Sequence, residues 1–240
     1  MELQGQIDIF STEQKPRMNV LIACEESQEV CKAFRLRGHR AFSCDLQECS
    51  GGHPEWHIQG DCLSLINGNC TFKTADTHTH TQVGQWDLLI AHPPCTYLSN
   101  AGANSLYKKI NGKSYVDFER YKKGLKGKEF FMAIINADCD RIAVENPIPS
   151  SIYELPKYSQ SIQPYWFGHP FSKKTCLWLK GLPHLLPTEI INDYVPYVVS
   201  GMYTKTHDPK YKGVSRKGGS AKIRSKTFPG IAKAMAEQWG

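Results

Sequence analysis

The chain has 240 residues, enough for one large α/β domain with at most a modest appendage, and 40% of them are hydrophobic, enough to fill a core. No apolar stretch reaches the length a membrane helix needs, and Met1 to Arg17 lack a basic-then-apolar secretion pattern, which argues against membrane-spanning and secreted classes. Nine cysteines, odd in number and scattered, fit reduced thiols in a cytoplasmic protein, while the +6 net charge concentrates in two basic blocks, Lys108 to Lys128 and Tyr203 to Lys226. Such blocks suit a phosphate-bearing partner, and equally a solvated surface.

Residues 1–18 read as a leader. Asn19 to Cys24 is uniformly apolar and predicts a strand buried on both faces, as in a parallel sheet. A polar turn, Glu25-Glu26-Ser27, follows, with Ser27 placed to cap a helix over Gln28 to Arg37 that Gly38 ends. His39 to Cys44 resumes as strand and closes on Asp45, completing a unit of βαβ length. Nucleotide-binding α/β folds place an acid against ribose hydroxyls at the position of Asp45, but the first turn lacks G-x-G-x-x-G, so no pyrophosphate is indicated. Asp61 ends a short extended piece in the same manner, and either aspartate also suits a helix cap.

Leu63 to Gln85 reads as a polar surface excursion. Cysteines and histidines are dense from Cys44 to His80, yet no C-x-x-C pair or other standard ligand spacing occurs, so no metal site is expected. Trp86 to Ser99 (WDLLIAHPPCTYLS) is a buried strand stopped by Pro93-Pro94, with Cys95 just beyond. Ligands gather outside the carboxyl ends of such strands, although most free cysteines are simply small hydrophobes. Asn100 to Lys113 reads as loop, Tyr115 to Ala137 as a helix weakened by Gly124 and Gly127, and Arg141 to Val144 as a strand ending in Glu145-Asn146-Pro147. A strand at Thr175 to Leu179 and an amphipathic helix at Phe228 to Trp239 complete the reading. Four strand ends thus carry Asp45, Asp61, Cys95 and Glu145.

In this combination the chain resembles the DNA cytosine-5 methyltransferases. Pro93-Pro94-Cys95, with Ser99 following, matches the family's nucleophile loop, and Glu145-Asn146 its second catalytic signature, with Pro147 in place of a valine. The resemblance covers Asn19 to Leu179 and the C-terminal tail. It implies a Rossmann-like, S-adenosylmethionine-dependent α/β fold, its sheet mostly parallel with helices on both faces. The catalytic domain would span residues 19–180 plus 222–240, and residues 181–221 would form a short basic insertion in place of a target-recognition domain. It implies Cys95, Glu145 and Asn146 as catalytic residues, and a cofactor site of Cys24, Glu25, Ser27, Asp45, Leu46, Asp61, Cys62 and Pro93. DNA is the implied partner, with Ser99 of the nucleophile loop contacting it; charge alone marks Lys108, Lys109, Lys173, Lys174, Arg216, Lys217 and Arg224 as candidate phosphate contacts.

The implied chemistry is addition of the Cys95 thiolate to carbon 6 of cytosine, which makes carbon 5 nucleophilic toward the sulfonium methyl group. Glu145 would hydrogen-bond or protonate ring nitrogen 3, a role that asks for a raised pKa from burial, and Asn146 would orient the loop. In duplex DNA the base would be flipped out. The chain departs from the family pattern in its first turn, Cys24-Glu25-Glu26-Ser27, and at Thr96. Three alternatives stand beside this reading. One is an amino-methyltransferase, whose loop would carry an aromatic residue where Cys95 stands. The others are an enzyme acting on a free cytosine nucleotide or single strand, and a catalytically silent nucleic-acid-binding module.

Overall fold

The computed structural model describes residues 16–76, 80–103, 105–199, 214–215 and 225–240. In chain order the elements begin β1 (Asn19–Ala23), α1 (Glu29–Leu36), β2 (Arg40–Asp45), β3 (His57–Gln59), β4 (Cys70–Phe72), β5 (Thr81–Val83) and β6 (Leu88–Ala91). They continue with α2 (Asn100–Ala103), β7 (Tyr107–Ile110), β8 (Lys113–Val116), α3 (Phe118–Ile135), β9 (Ile142–Pro147) and β10 (Gln160–Ile162). The last are β11 (Phe171–Ser172), β12 (Thr175–Lys180), β13 (Val195–Pro196), the short parallel pair β14 (Val198–Val199) and β15 (Val214–Ser215), and α4 (Pro229–Trp239).

The central sheet has seven strands in the order β10-β12-β9-β6-β1-β2-β3. β3, β2, β1, β6 and β9 pair in parallel, and β12 enters antiparallel between β9 and β10. The uniformly apolar strands follow from burial on both sides. Val20, Ile22, Leu88, Ile90, Ala143 and Leu177 face one core, which α1 and α4 cover. Their neighbours Leu21, Ala23, Leu89, Ala91, Ile142, Val144 and Trp178 face the other, which α3 covers through Phe131 and Ile134. This is the mostly parallel, Rossmann-like α/β arrangement expected, with helices on both faces. Strand order reverses between β1 and β6, and the crevice at such a switch point is where open α/β sheets bind ligands.

Several expectations need correction. Leu63 to Gln85 is not a surface excursion: β4 and β5 form a hairpin, and Leu65, Ile66, Cys70, Phe72, Val83 and Trp86 enter the core. The expected loop from Asn100 to Lys113 holds α2 and most of the β7–β8 hairpin, turned at Asn111-Gly112, both with positive φ. Helix α3 is capped by Asp117, whose carboxylate accepts the Arg120 backbone N–H, and runs unbroken through Gly124. That glycine is required because a Cβ there would collide with the Tyr153 ring. Met18, placed in the leader, is buried against the core and its carbonyl accepts the Arg40 N–H. Part of the expected insertion packs on the same body: Leu185 is buried, and the Trp239 indole donates to the Pro183 carbonyl.

Candidate active site

The first strand end is built around helix α1. Ser27 does not cap this helix. Gln28 takes the cap position in the left-handed conformation with no side-chain capping bond, and the helix is held instead by Glu25. The Glu25 carboxylate, buried behind the turn, accepts the backbone N–H groups of Val30 (2.6 Å) and Cys31 (3.2 Å). Gln28 donates to Ser43 Oγ and to the His53 carbonyl and accepts the His53 N–H, which folds the loop after β2 down onto the turn. Gly51 lies where any Cβ would strike Gln28 and the Ser27 carbonyl. Glu25 and Ser27, expected at the cofactor, are therefore buried parts of the scaffold.

Around this turn sit the remaining expected cofactor residues. Asp45 closes β2 and accepts the Gln47 N–H through one oxygen, and Leu46 beside it is 74% exposed. Asp61 caps the short turn at Cys62 to Ser64 by accepting the Leu63 N–H. Cys24, also at positive φ, places its sulfur 3.9 Å from Cys62 Sγ; the hydrogen bond between the two thiols, with burial adding, holds the Cys24 pKa well above its ordinary value. An acid at the end of β2 with an exposed leucine next to it suits ribose hydroxyls and a purine face, and Pro93 lies buried across the switch point. These residues, unlike Glu25 and Ser27, fit a nucleoside cofactor.

The second half of the site is formed by the ends of β6 and β9. Their register pairs Ala91 with Val144, so the next residues, His92 and Glu145, meet directly. His92 Nδ1 lies 2.9 Å from Glu145 Oε2, with the two side chains 9% and 14% exposed. One step on, the buried Asn146 donates from Nδ2 to the Pro93 carbonyl at 2.9 Å. Beyond Cys95 the loop is stitched to the segment after β9: Ser150 N–H donates to the Leu98 carbonyl and Asn100 N–H to the Ile148 carbonyl. Cys95 thus lies half-buried on a Pro-Pro turn held from the strand that carries Glu145 and Asn146.

Electrostatics here differ from expectation. Burial acts to raise the Glu145 pKa, but the hydrogen bond from His92 and the charges of His92 and Lys173 outweigh it, so the carboxyl is lowered, not raised. Burial acts to lower the His92 pKa, but the hydrogen bond and charge of Glu145, with Glu25 adding, hold it above its ordinary value. Glu25 itself is pushed up by burial, against the charge of His92 and its two backbone donors. The two carboxyl groups, Glu145 by hydrogen bond and Glu25 by charge, thus favour the protonated form of the imidazole, and the imidazole in turn favours ionised Glu145.

The expected nucleic-acid contacts divide. Lys109 and Lys174 are exposed. Lys108 is exposed and ion-paired to Asp117 at 2.7 Å. Lys173 is half-buried beside Glu145, its ammonium over the rings of Phe228 and Tyr197. Ser99 is buried, with its hydroxyl accepting the Gly102 N–H. Arg216, Lys217 and Arg224 lie outside the described residues.

Two residues escaped the sequence reading. His92 had no visible partner in the sequence. Arg120, in the first turn of α3, donates to the carbonyls of Thr96 (3.2 Å) and Gly102 (3.1 Å) while lying over the Tyr97 ring. It fastens the residue that follows Cys95. Among the described residues no cluster of three or more histidine, cysteine or acidic side chains is placed to hold a metal ion, and no helix is long and apolar enough to cross a membrane.

No protein-family model and no curated protein matches the chain. Among solved structures it is similar to a methyltransferase of Entamoeba histolytica, at 13% identity and a TM-score of 0.40, over 74% of this chain. The matched region spans 58% of the length of that protein.

Proposed function

We propose that this chain transfers a methyl group from S-adenosylmethionine to carbon 5 of cytosine in DNA through a covalent adduct on Cys95. The observation that carries the reading is the junction of β6 and β9. A cysteine on a rigid Pro-Pro turn is fixed by Asn146 to the same strand end that presents a buried carboxylate. The cofactor, when bound, supplies an electrophilic methyl group; Asp45, Leu46, Asp61 and Pro93 would hold it.

Carbon 5 of cytosine is a weak nucleophile until a thiolate adds at carbon 6. Cys95 Sγ forms that bond, and the displaced electron pair makes carbon 5 the attacking atom. Glu145, kept ionised by His92 and Lys173, accepts from the 4-amino group and so orients the ring. Water takes the carbon 5 proton as the sulfur–carbon 6 bond breaks, which releases 5-methylcytosine and the Cys95 thiolate. Asn146 and Arg120 keep the thiol in line, where a displacement of about 1 Å costs roughly a hundredfold in rate. Lys109 and Lys174 are exposed cations available to phosphates, and Lys108 would exchange its ion pair with Asp117 for one.

The test uses labelled S-adenosylmethionine and mixed DNA, with the modified base identified by mass spectrometry. We expect 5-methylcytosine, abolished by Cys95→Ser by three or more orders of magnitude, about the scale at which losing a nucleophile acts. A 5-fluorocytosine oligonucleotide should trap the protein through Cys95. Methyladenine or N4-methylcytosine as sole product, or an active Cys95→Ser variant, overturns the reading.

A further inference from the structure

The imidazole at His92 is buried with its two nitrogens in unlike surroundings. Its Nδ1 bonds to Glu145, while Nε2 is buried with no hydrogen-bond partner among the described residues. A buried imidazole with one nitrogen unpaired is costly, on the order of 1–3 kcal/mol. A scaffold histidine in this protein looks different: buried His57 uses both nitrogens, Nε2 donating to the Gln47 carbonyl and Nδ1 accepting from Ser43. The ring of His92 therefore has a single anchor, and that anchor is Glu145. On the carboxylate, Oε2 is taken by His92 and Oε1 makes no hydrogen bond within the described protein.

We propose that His92 is a positioning residue for base engagement: it clamps Oε2 of Glu145, turns Oε1 toward the pyrimidine, and makes the reaction depend on the proton it carries. This rests on the reading of the site as a cytosine pocket. The groups that act on the pair are Glu25 from the turn after β1 and Lys173 from the segment entering β12. Cys176, paired across the sheet with Asn146 and pushed up to about 11 by burial, also feels the charge of Glu145. Of these, Lys173 adds to the effect of His92 on Glu145 but opposes the charge on His92, while Glu25 supports that charge, so Glu145 and Glu25 together outweigh burial and Lys173.

Two limbs follow. As pH falls through the lowered Glu145 value, the carboxylate protonates and base engagement is lost. As pH rises through the raised His92 value, the counter-charge is lost. His92→Gln keeps a hydrogen-bond donor without a charge, so the acid limb of kcat moves to higher pH and the His92-dependent alkaline limb disappears. His92→Ala removes the clamp as well, and kcat falls about a hundredfold. Binding of S-adenosylmethionine, read by titration calorimetry, stays within twofold in both variants.

The direct test is nitrogen-15 NMR of the imidazoles in the unaltered protein. One ring should keep both protons above pH 6.5, the ordinary histidine midpoint. It should be absent from His92→Gln and drop to lower pH in Glu145→Gln. A His92 midpoint at or below the ordinary value overturns the proposal, whether or not the substituted proteins fold. An unshifted acid limb in a folded His92→Gln enzyme overturns it too. If the unaltered protein methylates no cytosine, the proposed function fails and base engagement fails with it, while the NMR titration separately decides whether the charged pair exists.

Discussion

The strand ends on either side of the switch point are built in opposite ways. After β1, polar side chains are spent on the fold: Glu25 on two helix N–H groups, Gln28 on Ser43 and His53, with Gly51 packed against the turn. After β6 the chain is held from outside, by Asn146 on β9 and Arg120 on α3, and a buried imidazole keeps one nitrogen unpaired. The first region ties its turn to its own helix and to β2 with the loop that follows. The second depends on its neighbours and stores unspent polarity where chemistry is proposed. Damage to the first should therefore register as stability, and damage to the second as rate.

The sharpest way to break that contrast is Asn146→Ala. It removes the single side-chain bond that ties the Pro93 carbonyl to β9, and it leaves β1 and its turn untouched. We expect kcat to fall by about a hundredfold through misplacement of Cys95. The loss of stability should be about 1 kcal/mol, the ordinary worth of one hydrogen bond. Steady-state kinetics beside urea unfolding separates the two. A large unfolding penalty with near-normal kcat would reverse the assignment of roles.

Glu25→Ala probes the other side. It leaves two N–H groups of α1 without their acceptor, at about 2 kcal/mol, and thermal unfolding should show it directly. The pH dependence has a definite sign. Burial raises the Glu25 pKa above its unfolded value, so the residue's contribution is fully present below the unfolded carboxylate pKa and declines as pH climbs through the raised one. The stability gap between the unaltered chain and Glu25→Ala must narrow as pH rises over that interval. A gap that widens would mean the carboxylate is favoured in the fold, contrary to its burial.

How much of this was legible depends on what each residue reports locally. β1, β6 and β9 announce themselves because both faces are buried, which writes an unbroken apolar run. Their ends give Cys95, Glu145 and Asn146 by position alone. Hairpin β7–β8 left the opposite record: every residue in it is exposed, so no alternation marks it, and the Asn111-Gly112 pair was its one signal. The β4–β5 hairpin was lost because its buried Cys70, Phe72 and Val83 are diluted by polar neighbours. His92 meets Glu145 through the parallel register of β6 on β9, and register between strands 50 residues apart is not written in either strand. The lowered Glu145 pKa is hidden for the same reason: the strand shows burial, but not that His92 and Lys173 lie beside the carboxyl group.

Arg120→Ala should give the smallest effect, and it tests whether the loop after Cys95 is held from α3 as well as from β9. The guanidinium is half-exposed and bonds two carbonyls that water could also satisfy, so unfolding should cost no more than about 1 kcal/mol. Its consequence lies in geometry. Without it the Thr96 carbonyl has lost its tie to Gly102, and the turn carrying Cys95 gains freedom that the Pro-Pro pair alone does not remove. A rate loss of about fivefold is expected, the equivalent of roughly 1 kcal/mol. Arg120→Lys should recover little, because an ammonium cannot bridge both carbonyls while lying flat over Tyr97. The rate of trapping by a 5-fluorocytosine oligonucleotide reads the step directly. Equal trapping rates for Arg120→Ala and the unaltered protein would show that β9 alone sets the nucleophile.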